Sequence, residues 1–158
     1  MSVKQDAFTR EAFSRFVESV EPRLLKALIA SAGPDAGREA TADALLYAWK
    51  NWDRVRGMEN PAGYLYRVGR SCVRRYHKRS VLFPAETSNP GHWIEPGLGV
   101  ALERLTERQR TAILLVEGYD WTYQEVADVM GLSRSSVQRH VERGMAKLRH
   151  ALEVTNVA

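Results

Sequence analysis

Arg134, Ser135, Gln138 and Arg139 fall within two turns of a single helical stretch, and their side chains suit one task. Arginine can grip guanine through O6 and N7, glutamine can pair with adenine, and serine can hydrogen-bond to several base edges. Ser136 and Arg143, on the same stretch, fit phosphate contacts, which position a reader without specifying sequence. Such side chains work only on a helix whose opposite face is held in a core. Val137, Val141, Met145 and Leu148 supply that face as one apolar stripe at helical spacing. The preceding residues supply the support. Thr122 and Glu125 have the spacing of a capping box, and Ala127 is small where two helices must approach. Gly131 suits a left-handed helix end, and Ser133 suits the cap of the helix that follows. The segment 122–149 therefore predicts a helix-turn-helix with its second helix shaped for a DNA major groove. Thr122 and Tyr123 lie where exposed N–H groups of the first helix can meet the DNA backbone.

A second concentration of chemistry lies upstream. Between Tyr64 and Arg79 there are six Lys/Arg (Arg67, Arg70, Arg74, Arg75, Lys78 and Arg79) and no acid. Tyr64, Tyr66 and Tyr76 interleave with them. Basic groups with aromatics suit phosphates and unpaired bases. Tyr64, Val68 and Cys72 share one face, and Leu65 also fits a buried stripe, so that Tyr64 and Tyr66 are each open to a core reading, which is favoured for Leu65 and Tyr64.

The chain has 158 residues and a net charge of +4, an excess too small to identify an anionic partner by itself. With 44% apolar residues and 27% charged it has the composition of a folded protein. Cys72 is the only cysteine, which excludes an intrachain disulfide and a Cys-based metal cluster. The histidines (His77, His92, His140 and His150) are scattered without metal-ligand spacing. No catalytic residue, metal or cofactor is expected. No apolar run is long enough to span a membrane, and the charged N-terminus lacks a signal peptide's apolar core. A cytoplasmic protein is expected.

The elements read as all-α, in two small helical domains joined by a Pro/Gly-rich linker. Phe8, Phe13, Phe16, Val17 and Val20 predict a first helix, and Pro22 suits the first turn of a second one carrying Leu24, Leu25, Leu28 and Ile29. Gly33-Pro34 ends it. A third helix is expected over roughly 37–52, with Leu45, Leu46, Ala48 and Trp49 on its apolar side. Residues 53–59 read as a loop. Asn60-Pro61 reads as a cap followed by proline at the first helical position, opening a helix to about Arg79. Prolines and glycines then interrupt any pattern up to Gly99, although Phe83, His92, Trp93 and Ile94 suggest a patch that packs on one domain. The expected boundaries are 1–79, a linker over 80–99, and 100–158. Thr106–Gln109 forms another capping-box pattern before Ile113, Leu114, Leu115 and Val116, and Gly118 ends that helix.

In this order, the segments resemble a sigma-70-type RNA polymerase sigma factor of the compact extracytoplasmic-function group. Three stretches carry the resemblance: GREATADALLYAWKNWDRV, NPAGYLYRVGRSCVRRYHKR, and LERLTERQRTAILLVEGYDWTYQEVADVMGLSRSSVQRHVERGMAKLR. It implies a subunit that binds core RNA polymerase and promoter DNA without catalysing the chemistry. It further implies that the first stretch meets the polymerase clamp through Glu39, Ala42 and Asp43. A glutamine of the family pattern is replaced by Ala42, which removes a hydrogen-bonding group. The second stretch would meet the promoter −10 element through Tyr66, Arg67, Arg70, Ser71, Arg74, Arg75 and Lys78. Ser71 stands where the family often has asparagine. Met58, Glu59 and Asn60 would line a pocket for a flipped-out base. The third stretch would read the −35 element through Arg134, Ser135, Ser136, Gln138, Arg139 and Arg143. An anti-sigma factor is implied as a further partner.

Two other readings compete. A stand-alone helix-turn-helix regulator would need a dimerisation surface or ligand pocket in the first block, and the basic helix argues against it. A DNA recombinase needs a serine or tyrosine among arginines, as Ser71 is beside Arg70 and Arg74, but the first block offers no sheet to build a catalytic pocket.

Overall fold

The computed structural model describes residues 3–76 and 97–157, and all of its regular structure there is helical. The sequence-predicted patch at Phe83, His92, Trp93 and Ile94 lies outside the described residues, as does Lys78. The first helix, α1 (Val3–Ala32), passes straight through Pro22 instead of restarting there. An interior proline removes one backbone hydrogen bond and crowds the preceding turn. Burial outweighs that cost: Val20, Leu24, Ala27 and Leu28 form one inward stripe on both sides of the proline.

Gly33, at φ 89°, ends α1, and Pro34 occupies the first position of α2 (Pro34–Lys50). The two helices cross closely. A Cβ on Gly37 would lie 2.6 Å from the Ile29 backbone. The buried face of α2 is Ala36, Ala40, Ala44 and Ala48, at a strict four-residue spacing. That stripe displaces the larger apolar residues expected inside: Leu46 is 52% exposed and Trp49 41% exposed, with Leu45 half-buried. Trp49 instead meets Phe13 edge-on at 4.9 Å, in a surface aromatic group with Phe16 and Trp52.

The stretch expected as a loop holds a short helix, α3 (Trp52–Val55), anchored by fully buried Val55. The next helix, α4 (Pro61–Tyr76), begins as the Asn-Pro pair predicts, with the Gly63 N–H donating to the Asn60 side-chain oxygen at 3.0 Å. Helices α1, α2 and α4 pack on one another and make the first block.

The second block contains α5 (Leu98–Glu103), α6 (Glu107–Ile113), a π-helical turn (Leu114–Gly118), α7 (Tyr123–Met130) and α8 (Arg134–Val157). Both predicted capping boxes are present, at Thr106/Gln109 and Thr122/Glu125. Gly131 is left-handed at φ 67°, and the Ser136 N–H donates to the Ser133 hydroxyl at 3.2 Å. Helix α8 continues through what reads in sequence as a short tail, because Leu148, Ala151 and Leu152 pack against Leu98, Ala101, Leu102 and Leu105 of the α5 segment.

The two blocks are packed together. Helix α1 touches α6 and the π-helical turn, α4 touches α7, and one apolar cluster joins Leu24, Leu28 and Leu65 to Leu115, Val126 and Val137.

Candidate nucleic-acid interface

Helix α8 presents two different faces. Val137 and Val141 are buried against the rest of the second block, while Arg134, Ser135, Gln138, Arg139 and Arg143 are exposed and Ser136 is half-buried. The entry angle of the helix is set by the Gly131 turn and the Ser133 cap, both fixed by local chemistry. Arg134, Arg139 and Arg143 make no salt bridge among the described residues. Gln138 is held by Glu142, donating to its carboxylate at 3.0 Å, one turn along the helix. That bond orients the amide and puts a negative charge at the edge of the reading face. Burial, reinforced by Arg108, Arg143 and Arg139, lowers the pKa of His140 and keeps that ring neutral between the arginines.

The basic helix α4 is divided in the same way. Arg67, Ser71, Arg74 and Arg75 are exposed. Leu65 is fully buried, and Tyr64 is half-buried with its hydroxyl 2.9 Å from that of Tyr47 and the Arg54 guanidinium 5.5 Å over its ring. Tyr66, the aromatic candidate for base contact, is buried at 1% exposure. Its hydroxyl is hydrogen-bonded with Ser31 and Thr111, and burial raises its pKa. In this arrangement Tyr66 is core, because its site on α4 faces both α1 and α6. Arg70 donates from Nε to Glu107 Oε1 at 2.5 Å, and Arg74 lies 4.0 Å from the other carboxylate oxygen. Burial by itself lowers Arg70, but the Glu107 hydrogen bond, with Tyr66 and the Glu107 charge, outweighs it and the net shift is upward.

Before α4, Met58 is half-buried while Glu59 and Asn60 are exposed. Asn60 has two roles: it caps α4 and donates from Nδ2 to the Asp128 carbonyl of α7 at 2.6 Å. On α2, Glu39 and Ala42 are exposed, and Asp43 is half-buried on the side of α4, where its charge raises the Cys72 thiol beyond the effect of burial.

Three residues that carry these contacts have no local signature as partners. Glu107 sits inside a capping-box pattern, yet it pairs with an arginine of the other block. Asp128 contributes only a backbone oxygen. Arg110 is buried at 5% exposure and donates to the Ser31 carbonyl at 3.0 Å, in the last turn of α1. A cation there meets the negative end of the helix dipole.

Residues 98–148 match the family described as sigma-70, region 4. That segment is similar to sigma-70 region 4. The matched residues span α5, α6, the π-helical turn, α7 and α8 as far as Leu148. The fold of the chain as a whole is similar to two solved structures. One is the sigma factor RpoE of Bartonella quintana in complex with the anti-sigma factor NepR, at 22% identity and a TM-score of 0.64, over 91% of this chain and 98% of that one. The other is CnrH in complex with the cytosolic domain of CnrY, at 22% identity and a TM-score of 0.61, over 92% of this chain and 90% of that one. Among curated proteins, no relative matches the sequence. Among the described residues, no helix is long and apolar enough to cross a membrane, and no group of His, Cys, Asp and Glu could hold a metal ion.

Proposed function

We propose that this chain is a promoter-recognition subunit of the extracytoplasmic-function group, which binds core RNA polymerase in the cytoplasm and directs initiation at specific promoters. The polymerase carries out the chemistry, and this subunit selects where it starts. The observation that carries the reading is a region 4 helix-turn-helix on the same chain as a second, basic helix, in a fold shared with sigma factors. A regulator that reads duplex DNA alone has no use for the second basic helix.

Residues 1–79 take the role of core binding and −10 recognition, residues 80–99 act as a linker, and residues 100–158 read the −35 element. Arg134, Ser135, Gln138 and Arg139 read base edges, and Ser136 and Arg143 hold phosphates. Arg67, Arg70, Ser71, Arg74, Arg75 and Lys78 follow the opened −10 strand, with Met58, Glu59 and Asn60 beside a flipped-out base. Tyr66 joins them only if α6 moves away. Glu39, Ala42 and Asp43 face the polymerase clamp. The partner in one of the two similar structures is an anti-sigma factor, and an anti-sigma factor is a partner here too.

Run-off transcription with purified core polymerase and genomic fragments tests the activity and returns the promoter. Discrete transcripts that depend on this chain are expected. Tight, sequence-specific duplex binding by the free protein, with no polymerase-dependent transcript, would replace this reading with the stand-alone regulator.

A further inference from the structure

Between Arg134 and Arg149, helix α8 carries a single acid, Glu142, among five Lys/Arg. A carboxylate on a helix that enters DNA repels phosphates and costs affinity for every sequence. An ion pair does not account for it. Arg139 and Arg143 lie within a turn of Glu142 on the same helix, yet Glu142 forms no salt bridge among the described residues. Its Oε1 accepts instead from Gln138 Nε2 at 3.0 Å. Both side chains are exposed, outside the buried stripe of Val137 and Val141.

That bond decides what Gln138 can offer to a base. Its amide carries two N–H donors and one acceptor oxygen. A free amide can present its oxygen and one N–H to adenine, or turn both N–H groups towards the O6 and N7 acceptors of guanine. With one N–H engaged by Glu142, the guanine arrangement is lost and the adenine arrangement remains: the oxygen accepts from N6 and the other N–H donates to N7. The acceptor is a carboxylate, so the hydrogen bond is charge-assisted and holds the amide more firmly than a neutral partner would.

We propose that Glu142 sets the base preference of the recognition helix, by locking the Gln138 amide in its adenine-reading arrangement and so excluding guanine from that position. Glu142 is a positioning residue: it acts through Gln138, and the discrimination it confers offsets its repulsion of phosphates. A Gln–Glu pair that only steadied one turn of α8 would leave base choice unchanged. This inference rests on the assignment of α8 to the −35 element.

The test is competitive run-off transcription by the holoenzyme, on the promoter returned by the genomic assay and on versions with each −35 base pair replaced in turn. One position should favour adenine over guanine with the parent and lose that preference with Gln138→Ala. At that position Glu142→Ala should lower the adenine-to-guanine transcript ratio by about two- to fivefold, with the other positions unchanged. Glu142→Gln removes the same charge but keeps an oxygen that can accept from Gln138, so it should retain part of the ratio. The double variant Gln138→Ala/Glu142→Ala should show the same ratio as Gln138→Ala, because no amide is left to hold. If Glu142→Ala strengthened every promoter alike and left the ratio intact, at a position that Gln138→Ala alters, the carboxylate would be a charge and nothing more; the positioning would be overturned and the −35 reading would stand. A guanine preference of the parent at the position Gln138 reads would overturn it equally. If Gln138→Ala altered no −35 position, Gln138 would not be a base reader and the inference would fall with that assignment.

Discussion

Arg139 and Gln138 sit on the exposed face of α8, but their surroundings differ. Arg139 makes no salt bridge among the described residues, whereas Gln138 is already oriented by Glu142. Replacing either by alanine should relax promoter choice by about 1–3 kcal/mol at one −35 position, read as the ratio of transcripts from matched and mismatched promoters in competition. Binding to core polymerase should be unchanged. Arg143→Ala should behave differently: it should weaken all promoters alike and lower the salt slope of duplex binding by about 0.9, the mark of a lost phosphate contact. The exposure of these residues was legible in sequence because polar residues opposite the apolar stripe of a capped helix face outward. Tyr66 was not, since an aromatic beside arginines reads equally well as a base contact or as core. The helix that buries it, α6, lies far along the chain.

The helices owe their ends to chemistry that spans three or four residues. Thr122→Ala removes the cap of α7 and should cost about 1 kcal/mol, seen in thermal melts. Glu125 contributes to the same cap. Hydrogen bonds from the Thr122 backbone and hydroxyl hold its carboxyl below the usual range, so the folded state favours the ionised form. A depressed folded value gives stability that is present above the ordinary carboxylate range and lost as pH falls through the depressed value. The melting difference between the parent and Glu125→Gln should therefore close as the solution is acidified through that range, and a difference independent of pH would contradict the assignment. Pro22 makes the opposite case. It interrupts the α1 backbone at an exposed position and serves no cap, so Pro22→Ala should stabilise the protein by about 1–3 kcal/mol, raising the melting temperature by about 2–4 °C per kcal/mol. Capping boxes and the Asn-Pro start were read correctly from sequence because their partners are neighbours. The break at Pro22 and the inward face of α2 were misread because tertiary burial decides both: Leu24 and Leu28 hold α1 straight, and an alanine stripe outcompetes Leu46 and Trp49 where α1 comes closest.

At the scale of the molecule, one apolar cluster runs through both blocks, and Leu24 is fully buried within it. Leu24→Ala should cost about 2–5 kcal/mol. Its effect should reach the second block as well, so that tryptophan fluorescence, compared between the parent and a Trp121→Phe variant to isolate the second block's signal, and helix content followed by circular dichroism shift together in one transition. Two separate transitions, with only the first displaced, would mean that the blocks fold independently. The sequence by itself determined an all-helical chain, the positions of the caps, the two basic surfaces and the region 4 helix-turn-helix, because helical periodicity and capping depend on residues within a turn or two of each other. Only the tertiary structure decided that the blocks share a core, that Tyr66 is buried, and that Glu107 and Asp128 close over the basic helix. Those contacts join residues tens of positions apart, and no local pattern of charge or apolar spacing specifies which distant surface a side chain will meet.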